Sequence, residues 1–195
     1  MPTPLPWGDE FLVNTTTLND QWEPTITALS GGRFVVAWTD YSQTGGDTLS
    51  TAIRARVFEA DGSPAGNDFV VNSTTLNGQY EPTITALSDG RFVVAWLGDN
   101  QTGGNTSGSA IRARVFNADG SPAGNDFLVN ATTLNNQYFP TITALSDGRF
   151  VVAWRDYSQT GGDTSGFAIR ARVLNADGSP AGTDFLVNSR TINDQ

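Results

Sequence analysis

Apolar positions along this chain fall into short runs, and one run organises the rest. Arg33, Phe34, Val35, Val36, Ala37 and Trp38 recur letter for letter at residues 91–96 and 149–154. Apolar side chains at both odd and even positions leave no face for water, so the run predicts a strand buried on both sides. The copies are spaced 58 residues apart, with no insertion or deletion. The fold therefore reduces to one unit and the way it stacks.

The neighbouring segments complete that unit. Thr25, Ile26, Thr27, Ala28 and Leu29 alternate with period two and predict a strand, a. A turn at Ser30, Gly31 and Gly32, replaced by Ser-Asp-Gly at 88–90 and 146–148, leads into the apolar strand b. After a polar loop at 39–51, strand c (52–58) sets Ile53, Ala55 and Val57 on one face and Arg54 and Arg56 on the other. Asp61, Gly62, Ser63 and Pro64 turn the chain into a short strand d, which occurs four times, at Phe11, Phe69, Phe127 and Phe185. No segment of ten residues has helical periodicity, so essentially no helix is expected. The expected division is a lead-in at 1–8 whose Trp7 packs on the first repeat, repeats at 9–66, 67–124 and 125–182, and a partial fourth at 183–195 carrying an extra strand.

Repeated four-stranded antiparallel meanders predict an all-β fold of β-propeller blades. The carrying residues, 32–38, 56–66 and 68–72 with their later copies, resemble tandem repeats of large secreted bacterial proteins that often accompany calcium-binding RTX nonapeptides. More distantly the unit is similar to integrin-like and sialidase-like blades, but the sialidase Ser-x-Asp-x-Gly-x-Thr-Trp box is absent. Propellers need roughly four to eight blades. Three repeats therefore predict closure by a homo-oligomer, foremost a dimer with six blades, with a three-fold β-trefoil-like or β-prism-like fold as the alternative.

Composition narrows the chemistry. The chain has no Cys, no His and no Lys, which removes thiol, imidazole and Schiff-base mechanisms. A net charge of −9 opposes nucleic acid and anionic lipid. No run is long enough to span a membrane, and residues 1–10 lack the pattern of a signal peptide. High Gly, Thr, Asn and Asp without Cys fits an extracellular or cell-surface protein.

Two loops offer candidate sites. Between strands b and c, Asp40 and Asp47, and again Asp156 and Asp163, flank hydroxyl, amide and glycine groups, a hard-oxygen set suited to Ca²⁺. The middle copy departs from it with Gly98 and Asn105, and a solvated loop of Asx turns explains the same residues. Before strand a, Trp22, Tyr80 and Tyr138 follow Gln21, Gln79 and Gln137, a ring beside an amide that suits a sugar face; a wedge between blades is the other reading. Tyr41 and Tyr157 are further stacking platforms. The arginines of strand c are expected to pair with Asp68, Asp126 and Asp184. Paired carboxylates for glycoside hydrolysis are open by composition, but near-identical units dilute a single asymmetric site. The expectation is a non-enzymatic module binding carbohydrate or a cell surface multivalently, or a purely structural self-assembling scaffold.

Overall fold

A computed structural model of the chain describes residues 8–47, 49–99 and 101–190. Trp7 and residues 191–195 of the partial fourth repeat lie outside the described residues. Each repeat contributes one four-stranded antiparallel sheet with meander order. The first holds β1 (Gln21–Ala28), β2 (Phe34–Asp40), β3 (Ala52–Phe58) and β4 (Phe69–Val70). The second holds β5 (Gln79–Ala86), β6 (Phe92–Gly98), β7 (Ala110–Phe116) and β8 (Phe127–Leu128), and the third β9 (Gln137–Ala144), β10 (Phe150–Asp156), β11 (Ala168–Leu174) and β12 (Phe185–Leu186). Among the described residues the sole helical element is a 3₁₀ turn at Ser30–Gly32, and no helix is long and apolar enough to cross a membrane.

The sheets stack face to face as propeller blades do. β5 lies against β1, β2 and β3, and β9 lies against β5, β6 and β7. Val35, Ala37, Ile53, Ala55 and Val57 on one face of the first sheet meet Phe92, Val94, Trp96 and Phe116 of the second. The opposite face of the second sheet sends Val93, Ala95, Ile111 and Ala113 against Phe150, Val152 and Trp154 of the third. The apolar strand is thus spent on two interfaces, as its sequence requires.

Strand d joins blades as well as closing them. Arg54, Arg112 and Arg170 pair with Asp68, Asp126 and Asp184 at 3.0, 3.4 and 3.0 Å, within their own sheets. The second arginine row departs from the expected acid pairing. Arg56, Arg114 and Arg172 donate to the carbonyls of Val13, Val71 and Val129 at 3.0, 3.0 and 2.8 Å, reaching the strand-d segment before their own blade. Burial pushes the Asp68 carboxyl up, but the Thr15 hydroxyl and N–H together with Arg54 outweigh it and hold it below its ordinary range. The surplus copy of strand d is the first: Phe11 forms no ladder and lies on Phe58, 5.4 Å between ring centroids.

Equivalent residues differ in burial according to whether a blade covers them. Ile84 is 7% exposed, whereas Ile26, at the same place in the first blade, is 63% exposed. Ile84→Ala is expected to cost about 2–4 kcal/mol through lost burial and the cavity left behind, and Ile26→Ala, at dilutions where the chain is monomeric and no second copy covers that face, within about 0.5 kcal/mol of zero. Urea midpoints at unchanged slope check this; equal losses would contradict the stacking.

Candidate functional site

The inner strands begin four residues earlier than their periodicity predicts, and the early start creates the site. Gln21 pairs with Asp40 and Trp22 with Thr39, after which the register slips before Thr25. The same slip falls between Tyr80 and Thr83 and between Tyr138 and Thr141. Each bulge holds a non-glycine residue in the left-handed region: Glu23 at φ 56°, Glu81 at 55° and Phe139 at 52°. A following proline is tolerated there because a bulge needs no ladder N–H. Such a backbone costs roughly 1–2 kcal/mol per residue, and bulges re-aim side chains beside functional sites.

The re-aimed carboxylates run from blade to blade. Glu23 Oε2 accepts the Glu81 N–H at 2.8 Å and the Thr39 hydroxyl at 2.9 Å. Glu81 Oε2 in turn accepts the Phe139 N–H at 2.8 Å. Burial pushes the Glu81 carboxyl above its ordinary value; the Phe139 N–H opposes this, the charges of Glu23 and Asp99 add to it, and Arg155 pulls back only in part. The third bulge carries no acid, so the three blades are unequal where their inner strands converge.

Aromatic rings border this end. Trp22 and Tyr41 are 5.4 Å apart and Tyr41 and Tyr80 6.5 Å, tilted in both cases. Burial raises the Tyr41 hydroxyl, helped by Tyr80, Glu23 and Asp20. Tyr138 lies 6.2 Å from both Phe139 and Phe167, and Tyr157 4.8 Å from Phe167. Trp22 and Tyr157 are exposed while Tyr41, Tyr80 and Tyr138 are half-buried, so the rings form an open border.

The glutamines and the aspartates are placed otherwise. Gln79 is enclosed and accepts from Trp96 Nε1 at 2.8 Å, and Gln137 is enclosed between Asn130 and Asp156. Gln21 joins Asn14 to Asp40. As ligand-binding groups they are corrected to structural ones, since their polar atoms are committed within the blades. Asp40 accepts from Ser42 and lies 3.9 Å from Arg54, and Asp156 is 3.0 Å from Arg170. A guanidinium thus stands beside each of these two carboxylates and supplies positive charge where the sequence suggested a cation. Asp47 accepts from Leu49 and Asn72. Asp163 is buried, and neither of its oxygens has a hydrogen-bond partner among the described residues. Among the described residues no group of three or more acidic side chains gathers as a metal cluster would.

Glu23, Glu81, Phe139, Arg155 and Phe167 were missed by sequence reasoning. The signal was there: the second and third copies differ at 11 of 58 positions, among them 81 against 139, 97 against 155 and 109 against 167. The third-copy members of these pairs touch one another.

No family model matches the chain, and no curated protein matches it. Solved structures do. An endo-arabinase from Bacteroides thetaiotaomicron VPI-5482 superposes with a TM-score of 0.56 at 16% identity, over 92% of this chain and 66% of that one. An α-L-arabinofuranosidase from Fusarium graminearum, with an iminosugar inhibitor, gives 0.61 at 12%, over 92% and 54%. A Dyadobacter fermentans DSM 18053 protein of unknown function gives 0.59 at 12%, over 91% and 58%. The chain thus spans about half to two thirds of the length of these neighbours. The likeness is one of fold, and it bears out the all-β, propeller-like expectation; the RTX association finds no support in it.

The functional expectation is overturned. The endo-arabinase and the arabinofuranosidase are glycoside-cleaving enzymes, against a non-enzymatic binding module or an inert scaffold. The premise behind that expectation also fails, because near-identical blades differ at their bulges.

Proposed function

We propose that the chain is the blade unit of a glycoside hydrolase acting on arabinose-containing glycans, with Glu81 as general acid and Glu23 as its partner carboxylate. The observation that carries this is two bulge-borne carboxylates on adjacent inner strands, one raised by burial, bordered by open aromatic rings. Protonated Glu81 gives its proton to the departing glycosidic oxygen as the bond to the anomeric carbon breaks. Glu23 takes a proton from the water that forms the new bond. A raised acid beside a more open base is the arrangement that separates these roles. Trp22, Tyr41 and Tyr80 offer their faces to the sugar. A polymeric glycan substrate also fits an extracellular location.

Reducing-sugar release from arabinan is the test. Glu81→Gln and Glu23→Gln are each expected to lose about 10²–10⁴-fold in kcat, the span of general acid–base catalysis. The sign of the pH dependence follows from Glu81: the acid must hold its proton, so activity falls as pH rises through a value above the ordinary carboxylate range. No hydrolysis by the parent chain, or full activity in both variants, would end this reading.

A second copy of the chain completes the ring in the same reading. Val71 and Val129 on strand d are fully buried by the following blade, while Val187 is 54% exposed, and Ile26 is open at the other end of the stack. These end faces are the two halves of the interface that joins the blades internally, a head-to-tail contact that generates closed rings. Light scattering is expected to give a discrete multiple of 20.8 kDa, reduced to the monomer by Ile26→Glu. A monomeric parent chain would contradict closure by copies.

A further inference from the structure

Arg155 has charge to spare. It stands at the end of β10 where the first two repeats have Thr39 and Leu97. Its guanidinium carbon lies 4.3 Å from the Phe167 ring centroid and 5.3 Å from that of Phe139. The buried arginines of strand c each have a carboxylate within 4 Å. Arg155 has no ion pair and no hydrogen-bond acceptor among the described residues, and its Nε is buried without a partner. The side chain is half-buried, and Nη1 and Nη2 remain open to a ligand.

Its position singles out the site just described. Arg155 is near enough to Glu81 to draw that carboxyl downward, and Phe167 links it to Tyr138 and Tyr157. All three residues that build the feature, Phe139, Arg155 and Phe167, are ones in which the third repeat departs from the second. Both rings lie against the guanidinium, and its donors beyond Nε face neither a carboxylate nor a carbonyl among the described residues. Such a fork matches a carboxylate bidentately, and rings beside it suit the body of a sugar.

We propose that Arg155, beside the rings of Phe139 and Phe167, is a subsite for the carboxylate of an acidic sugar, so that the glycan processed here carries uronic acid residues beside its neutral ones. This rests on the reading of the inner-strand end as a glycan site and adds a charge requirement to it. The chain as a whole repels anions at net −9, so an acidic sugar needs a local cation, and Arg155 supplies one beside the bulges. Neutral sugars have no group for it.

Isothermal titration with two probes, a galacturonate trisaccharide and arabinotriose, tests the proposal on the full chain. The acidic probe is expected to bind the parent protein, and Arg155→Leu to weaken it at least tenfold more than it changes arabinotriose binding. The second repeat carries leucine at this place, so the variant keeps a side chain the blade already accommodates. Arg155→Lys, which keeps the charge and loses the fork, falls between the two, and binding of the acidic probe weakens with salt. No binding of the galacturonate probe, or equal binding by Arg155→Leu, would overturn the proposal. The two readings fail separately: arabinan hydrolysis with no acidic binding leaves the enzyme without this subsite, and Arg155-dependent acidic binding without hydrolysis leaves the subsite without the enzyme.

Discussion

The structure depends on a strand that has no face to give to water. Because β2, β6 and β10 are apolar on both sides, no blade is stable alone, and each must be covered twice. The middle blade meets this in full, with Phe92, Val93, Val94, Ala95 and Trp96 all essentially inaccessible. In the first blade Val36 and Trp38 are also buried, with Val13 packed against them, in the third Val151 and Ala153 are only partly covered, and the difference between Ile84 and Ile26 measures what a missing neighbour leaves exposed. The arginine rows follow from the same constraint: one locks strand d into its sheet and the other fastens that strand to the next blade.

Stacking fixes the inner strands side by side, and the bulges re-aim side chains across that adjacency. A regular strand would point residue 23 and residue 81 along the stacking direction, into the neighbour. The left-handed Glu23 and Glu81, each before its proline, instead aim a carboxylate at the next bulge's N–H. The strain is offset by those hydrogen bonds and by two-sided packing downstream, so a rigid scaffold carries the costly conformation. Burial then separates Glu81 from an ordinary surface carboxylate. Identity of the repeats elsewhere is what makes the differences at 81 and 139, 97 and 155, and 109 and 167 effective, since they act against a constant frame.

The meander, the positions of strands b and c and the absence of long helices were legible because hydrophobic periodicity encodes them directly. Strand c was placed at Ala52–Phe58 from alternation alone. The start of strand a was not, because Gln21 and Trp22 precede Pro24 and look like a connection; the bulge that returns them to the ladder has no periodic signature. For the same reason Glu23 and Glu81 read as polar loop residues. Gln79 and Gln137 misled in the opposite direction, since a buried amide satisfied by Trp96 or Asp156 is indistinguishable in sequence from an exposed one awaiting a ligand. Asp40 and Asp156 pointed to a cation because their guanidinium partners come from a strand 14 residues away.

The central claim is that the sugar is held at the inner-strand bulges. A crystal structure of the Glu81→Gln protein with arabinotriose tests it most directly. The account predicts a sugar ring against Trp22, Tyr41 or Tyr80 with hydroxyl groups in reach of Glu23. Sugar bound instead along the loops between strands b and c, or none at the bulges at saturating concentration, would contradict it.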